Sequence, residues 1–244
     1  MRRGGGAAPV QVDAIVPAHD EEALIGPSIV ALLAARDHAR GLDHGITVAL
    51  TVVLDACTDR TAGIVQGFSS EVTIVTVDAR NVGAARRAGI DAALATVPPR
   101  SPGRRWIANT DGDSRVPLDW FVAHAAACRA GVDLLLGTVR PDADDFTPED
   151  RRRWLDAHPP GHLPGNVHGA NLGIRAGSYR ALGGFAALAE HEDVDLVARA
   201  RAAVPELRVE ATLDAAVTTS GRRIGRTPGG YAAFLAATYG PPPA

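Results

Sequence analysis

The sequence contains no lysine: all 25 of its basic residues are arginine. An arginine-only set beside abundant alanine, glycine and proline is what a GC-rich coding sequence yields, so it carries no functional reading alone. Against 28 acidic residues it leaves a formal net charge of −3. No basic stripe alternates with aromatics, which argues against a general nucleic-acid binder. Cysteine is scarce. Cys57 and Cys128 stand far apart without CxxC spacing, which excludes a disulfide framework or a cysteine zinc site and suits thiols in a reducing cytoplasm. No run approaches the ~20 apolar residues of a membrane span, so no transmembrane segment is expected. The basic start "MRRGGGAAPV" is followed by no apolar stretch, so no secretory leader is expected and cytoplasmic localisation is. Gly4 to Gly6 precede any strand and make no nucleotide fingerprint.

What is present is a globular composition, 46% hydrophobic and 22% charged. Strand-like and helix-like segments alternate from Val10 onward. "VQVDAIVPA", "ITVALTVVLD", "EVTIVTVDA" and "RRWIANT" read as strands, separated by helical "EEALIGPSIVALLAARDHA", "CTDRTAGIVQGF" and "NVGAARRAGIDAALAT". That β-α-β series predicts an α/β fold with a mostly parallel central sheet flanked by helices. The second half reads as helix ("PLDWFVAHAAACRA"), strand ("VDLLLGTV"), a helix capped by Thr147 with Pro148 in its first turn, and a Pro/Gly/His loop. A short strand and helix, an acid-led helix from "HEDVDLVARARA", two short strands and a C-terminal helix from about residue 228 follow. We expect a tail over 1–9 and one domain over 10–240, divided into a nucleotide-binding half (10–113) and an acceptor half (114–240).

In parallel sheets ligands sit at the carboxyl ends of the strands. Asp20, Glu21, Asp55, Asp78, Asp111 and Asp113 all fall at or just after such ends. In "WIANTDGDS" two carboxylates flank one glycine, and in an extended chain positions two apart point the same way. Two readings follow: a solvated Asp-Gly turn, or two oxygen ligands for a cation, without which each acid raises the other's pKa.

The succession "IVPAHDEEALIGPSIVALL", "VVLDACTDRTAGIV", "NVGAARRAGI", "IANTDGDS" and "EHEDVDLVAR" resembles the family 2 glycosyltransferases of GT-A fold, over Val10 to about Arg226. The resemblance implies a single GT-A domain whose first half is a Rossmann-like nucleotide-binding unit. It places Pro17, Ala18 and Glu21 in the loop that cradles the nucleoside, although His19-Asp20 stands where the family has an aromatic-Asn pair. It makes Asp55 an acceptor from the base, with Asp59 and Thr61 supporting its turn. Asn81 and Arg86, with Gly83 and Gly89, belong to the helix beneath the donor. Asp111 and Asp113 occupy the DxD position and would hold Mg²⁺ or Mn²⁺ with the donor's diphosphate. Glu192-Asp193 matches the family's ED pair, with Asp193 as base in inverting members and Asp195 structural. No histidine follows His191, and Thr219 or Ser220 stands where some members carry a late histidine ligand. His168 and His191 are outside candidates.

Arg222, Arg223 and Arg226 form a basic cluster suited to phosphate oxygens, with a solvated loop as the equal alternative. The stretch 142–168 is expected to form a lid over the acceptor. The function implied is metal-dependent, inverting transfer of a hexosyl group from a nucleotide-sugar to the hydroxyl of a small or lipid-linked acceptor. A retaining transferase, a nucleotidyltransferase and a catalytically silent nucleotide-sugar binder are the alternatives. The acidic loop "PAHDEEALIG" lacks the Gly-rich basic character a nucleotidyltransferase would use there.

Overall fold

Alternation along the strands decides which helices pack where. The computed structural model describes residues 8–96, 102–159, 161, 167–203 and 206–240. On strand β1 (Val10–Ala18), Val10, Val12, Ala14 and Val16 enter one core while Ile15 enters the other. On β2 (Ile46–Asp55), Ile46, Val48, Leu50 and Val52 join the first core and Val53 the second. This is the period of two that a strand imposes. Both sheet faces are therefore apolar, and helices cover both.

Helices α1 (Ile25–Leu42), α2 (Thr61–Gln66) and α4 (Trp120–Arg129) close the first face, using Ile25, Ile29, Val65, Trp120 and Phe121. The second face is closed by α3 (Val82–Thr96), α6 (Ala176–Ala181) and α7 (Glu192–Ala202), through Ile90, Tyr179, Leu196 and Val197. The remaining strands of the main sheet are β3 (Thr73–Val77), β4 (Arg105–Asn109), β6 (Leu134–Leu136), β8 (Leu172–Arg175) and β9 (Val209–Ala211). Their order is β3-β2-β1-β4-β8-β6-β9. Only β8 runs against its neighbours, β4 and β6; the other six strands share one direction. The expected mostly parallel single-domain α/β plan is what the chain adopts.

A second sheet joins β5 (Ser114–Arg115), β10 (Val217–Thr219) and β7 (Val139–Pro141), in the order β5-β10-β7. Here the structure departs from expectation, because "VDLLLGTV" is two strands in two sheets. The break falls at Gly137, where a Cβ would lie 2.3 Å from Asn171 Cγ. Asn171 cannot give way easily. Its Oδ1 accepts from Trp120 Nε1 (2.9 Å) and its Nδ2 donates to the Thr138 and Ala215 carbonyls (2.9 and 3.1 Å).

Thr147 caps α5 (Pro148–Ala157), accepting from the Asp150 N–H at 3.1 Å, as expected. Helix α8 (Tyr231–Tyr239) ends the described chain. The stretch 142–157 is largely this capped helix and a 3₁₀ turn rather than open loop. Residues 160 and 162–166 of the expected lid lie outside the described residues, as do 1–7 of the expected tail. Among the described residues no helix is long and apolar enough to cross a membrane.

Candidate active site

The loops after β1 and β2 interlock through acids that accept backbone N–H groups. Asp20 Oδ1 accepts from the N–H groups of Thr58 (2.6 Å) and Asp59 (3.2 Å), and the Glu22 N–H donates to Asp59 Oδ2 (3.0 Å). The Glu21 N–H donates to Thr61 Oγ1 (2.7 Å), and His19 Nδ1 lies 2.6 Å from the Asp55 carbonyl. Pro17 and Ala18 end β1 directly under this lattice, where a Cβ on Gly112 would meet them at 3.2 and 3.3 Å. The first-strand loop, the Asp59–Thr61 turn and the DGD segment are thus one packed rim.

Asp55 is engaged by the backbone. Its Oδ1 accepts from the N–H groups of Ala79 (2.7 Å) and Arg80 (2.8 Å), and its Oδ2 from Asn81 (2.9 Å). Asn81 Oδ1 in turn accepts from the Ala84 N–H at 2.9 Å, so Asn81 caps α3. Both residues assigned to the donor therefore shape the turn between β3 and α3. Replacing Asp55 with Ala should cost about 1.5–3 kcal/mol for a lost charged acceptor. Equilibrium denaturation would read that loss, and Asp55→Asn should recover part of it. A variant that loses nucleotide affinity at parental stability would return Asp55 to the base.

The paired acids lie in a turn, not in an extended strand. The Ser114 N–H donates to the Asp111 carbonyl at 3.1 Å, closing residues 111–114 between β4 and β5. The turn directs its acids to different partners. Asp111 Oδ1 accepts from Arg86 at 2.5 Å, and the same guanidinium donates to Glu192 Oε1 at 2.9 Å and to the Thr110 carbonyl at 3.3 Å. Arg86 is only 2% exposed, so it lies beneath the site and holds the acids rather than touching a donor. Burial alone would lower its pKa, but Asp111 and Glu192 hold it well above the usual arginine range. Burial pushes the Glu192 carboxyl up, partly offset by Arg86.

Asp113 turns the other way. Its Oδ2 is 2.8 Å from Arg222, and its Oδ1 accepts from the hydroxyls of Ser114 (3.2 Å) and Thr219 (3.3 Å). Thr219, expected where a late histidine ligand might lie, thus stands against the acid. Burial pushes the Asp113 carboxyl up to about 6; Arg222 opposes this, while Asp111 and Glu21 add to it. Since the folded value exceeds the unfolded one, Asp113's contribution to stability is full below about pH 4 and lost as pH rises through 6. The ionised acid sits in a place that disfavours it.

Arg222 also donates to both oxygens of Glu21 (3.0 and 2.8 Å), and Arg226 pairs with the same carboxylate. Arg223 is not brought to the site. Its guanidinium pairs with Asp150 at 2.6 Å and donates to the Tyr239 carbonyl, so the second arginine at Glu21 is Arg226.

Asp193 opens α7 with Oδ2 accepting from the Gly169 N–H at 2.6 Å and Oδ1 from the Val194 N–H at 2.8 Å. A Cβ on Gly169 would lie 2.6 Å from Arg86 and 3.3 Å from Asp193 Oδ2, which places Asp193 beside the Arg86 cluster. Nothing in the sequence marks Gly169 for this. Burial holds His168 below the usual histidine range, against the opposing pull of Asp193 and Asp111. His191 is exposed and left-handed (φ 62°) at the start of α7. Asp195 pairs with Arg199 at 2.6 Å, a structural role as expected. Asp78 is exposed and has only Arg80 at 3.9 Å.

Among the described residues five non-glycine residues have positive φ, and four of them, Asp20, Ala56, Arg80 and His191, lie just after β1, β2 and β3 and just before α7. Such strained backbone gathers at functional sites. Around the rim Glu21, Asp111, Asp113, Glu192 and Asp193 face Arg86, Arg222 and Arg226, five carboxylates against three guanidiniums. Among the described residues no group of three or more His, Cys, Asp or Glu is arranged to hold a metal by itself. Mg²⁺ commonly uses one or two carboxylates plus substrate phosphates. The destabilised Asp113 carboxylate, with Asp111 in the same turn, suits a divalent cation arriving with phosphate.

Several solved structures share this fold. S. aureus TarS (residues 1–349) in complex with UDP matches with a TM-score of 0.61 at 16% identity, covering 86% of this chain and 60% of that one. The mannosyltransferase PcManGT from Pyrobaculum calidifontis, in complex with GDP-Man and Mn²⁺, matches at 0.59 and 18% identity, covering 92% and 62%. Glucosyl-3-phosphoglycerate synthase from Mycobacterium tuberculosis, with Mn²⁺, UDP and phosphoglyceric acid, matches at 0.55 and 17%, covering 96% and 80%. The chain spans about six-tenths of the first two. These likenesses establish a GT-A fold. No curated protein sequence matches the chain. The family model for glycosyl transferase family 2 matches residues 13–185, from the first strand through the Gly turn after α6. With that match over most of its length, the chain belongs to glycosyl transferase family 2.

Proposed function

We propose that the protein transfers a hexosyl group from a nucleoside-diphosphate donor to an acceptor hydroxyl, with inversion, using a divalent cation. The observation that carries this is the Arg86 and Gly169 junction that brings Asp111 and Asp193 together, with Asp113 two residues on in the same turn and close enough to feel the Asp111 charge. The rim formed by Pro17–Glu21 and Asp59–Thr61 would receive the nucleoside. Asp111 and Asp113 would hold the cation, and Arg222 and Arg226 face the diphosphate. Bound there, a cation would supply positive charge to the leaving diphosphate.

Asp193 accepts the proton as the acceptor oxygen attacks the anomeric carbon. The new carbon–oxygen bond forms as the sugar–phosphate bond breaks, and the electron pair leaves with the nucleoside diphosphate. The Gly169 N–H holds Asp193 Oδ2 during this step, and Asp193 Oδ1 accepts from the N–H of Val194. A carboxylate in a partly dry cleft is suited to general-base work. The complexes of PcManGT with GDP-Man and Mn²⁺ and of the mycobacterial synthase with Mn²⁺ and UDP support the donor class and the cation.

Asp113→Ala should abolish metal-dependent nucleotide binding, because the diphosphate loses its anchored counter-ion. Calorimetry of UDP and GDP with and without Mn²⁺ tests this. Metal-dependent affinity equal to the parent's would remove Asp113 from the cation site.

A further inference from the structure

Arg222 stands where a cation would. Its NH2 nitrogen is 2.8 Å from Asp113 Oδ2 and 2.8 Å from Glu21 Oε1, and its NH1 is 3.0 Å from Glu21 Oε2. One guanidinium therefore bridges the inner acid of the DGD turn and the acid of the first-strand loop. The other oxygen of Asp113 meets only hydroxyls, from Ser114 and Thr219. Arg222 is thus the positive charge on Asp113.

The backbone on either side of Arg222 is anchored, by Gly221 before it and by the buried Arg223–Asp150 pair after it, so only the Arg222 side chain is free to change partner. Before Arg222 the Ser220 N–H donates to the Asp113 carbonyl (3.2 Å) and the Gly221 N–H to Asp145 Oδ2 (2.7 Å). Beyond Arg223, Arg226 returns to Glu21 and to the Asp20 carbonyl. Between them Ile224 is 75% exposed and makes no core. A guanidinium on such a segment can change partner without disturbing the sheet.

We propose that Arg222 is a resident place-holder, neutralising Asp113 in the free protein and passing to the donor's diphosphate when a divalent cation takes Asp113. This rests on the reading of Asp113 as a cation ligand. Cation and guanidinium compete for one carboxylate, so Arg222 resists the cation alone. A diphosphate brings negative charge that the released guanidinium pairs with bidentately. The same side chain therefore opposes metal binding and favours metal–nucleotide binding. Nucleotide and metal become coupled ligands. Arg226, which touches Glu21 but not Asp113, exerts the first of these effects only indirectly, through Glu21.

The test titrates Mn²⁺ alone, followed by electron paramagnetic resonance, and then Mn²⁺ with UDP or GDP, followed by calorimetry. Arg222→Ala should bind Mn²⁺ alone more tightly than the parent, by roughly 5-fold or more, and bind Mn²⁺ with nucleotide more weakly. Arg222→Gln, which keeps most of the stem and a donor but not the charge, should shift both in the same directions. Arg226→Ala, which frees Glu21 but not Asp113, should raise the affinity for Mn²⁺ alone by clearly less than Arg222→Ala does. A purely structural clamp would weaken both measurements together. Unchanged or weakened Mn²⁺ binding in folded Arg222→Gln would overturn the proposal. A parent protein whose nucleotide binding ignores Mn²⁺ would instead overturn the cation reading of Asp113, and the place-holder role with it.

Discussion

Asp193→Asn is expected to retain donor binding while turnover falls about 10²–10⁴-fold, the usual contribution of a general base. The substitution keeps the size of the side chain and one oxygen to accept from the Gly169 N–H, now bonded at 2.6 Å. Asparagine also serves almost as well as aspartate near a helix start, so α7 should remain in place. What is removed is the basic oxygen. Steady-state turnover measured beside calorimetric donor affinity separates chemistry from binding. Near-parental turnover would take Asp193 out of the mechanism and make a retaining enzyme the better reading.

Arg86→Ala should be strongly destabilising. It removes the guanidinium that pairs Asp111 at 2.5 Å and Glu192 at 2.9 Å, and leaves the Thr110 carbonyl without that donor. Glu192 is 5% exposed, so water cannot replace the lost partner there. Removing one member of a buried ion pair costs about 3–5 kcal/mol. Chemical denaturation would measure it, and Arg86→Lys, which cannot span both acids with one fork, should recover only part. A loss below about 1 kcal/mol, the value of exposed pairs, would mean that the cluster is solvated. Because Arg86 joins α3, the DGD turn and α7, the variant should also lose transferase activity before it unfolds.

The first four strands and three helices were legible because each carries its own hydrophobic period. Val10, Val12 and Val16 alternate on β1, while Ile25, Ile29 and Leu32 make the stripe of α1. The split between β6 and β7 was not legible. It depends on Gly137 meeting Asn171, a residue distant in sequence whose side chain is fixed by three hydrogen bonds. The two-residue β5 and three-residue β10 are too short to show a period.

For the site, the acids were legible and their partners were not. Asp111, Asp113 and Asp193 stand out by position at strand and helix ends. Arg86 looked like a donor contact, but an arginine reads the same whether it faces phosphate or is buried under two carboxylates. Arg223 and Arg226 were indistinguishable in a Gly-containing loop, whose path sends the first to Asp150 and the second to Glu21. Asp55 fell where the resemblance gives a base contact, yet three N–H groups of the next turn already point at it.

The one reversed strand of the main sheet, β8, has a consequence for how this protein could be rearranged. It pairs with β4, which precedes the DGD turn, and with β6, which follows it. Gly169, whose N–H holds Asp193, lies three residues before its start. A cut after Asp113 would therefore not yield two modules. It would bare the backbone edge of β4 along Trp106, Ile107 and Ala108, an apolar stretch suited to pairing with a foreign strand. Any exchange of the segments before and after residue 113 must carry β8 across the seam.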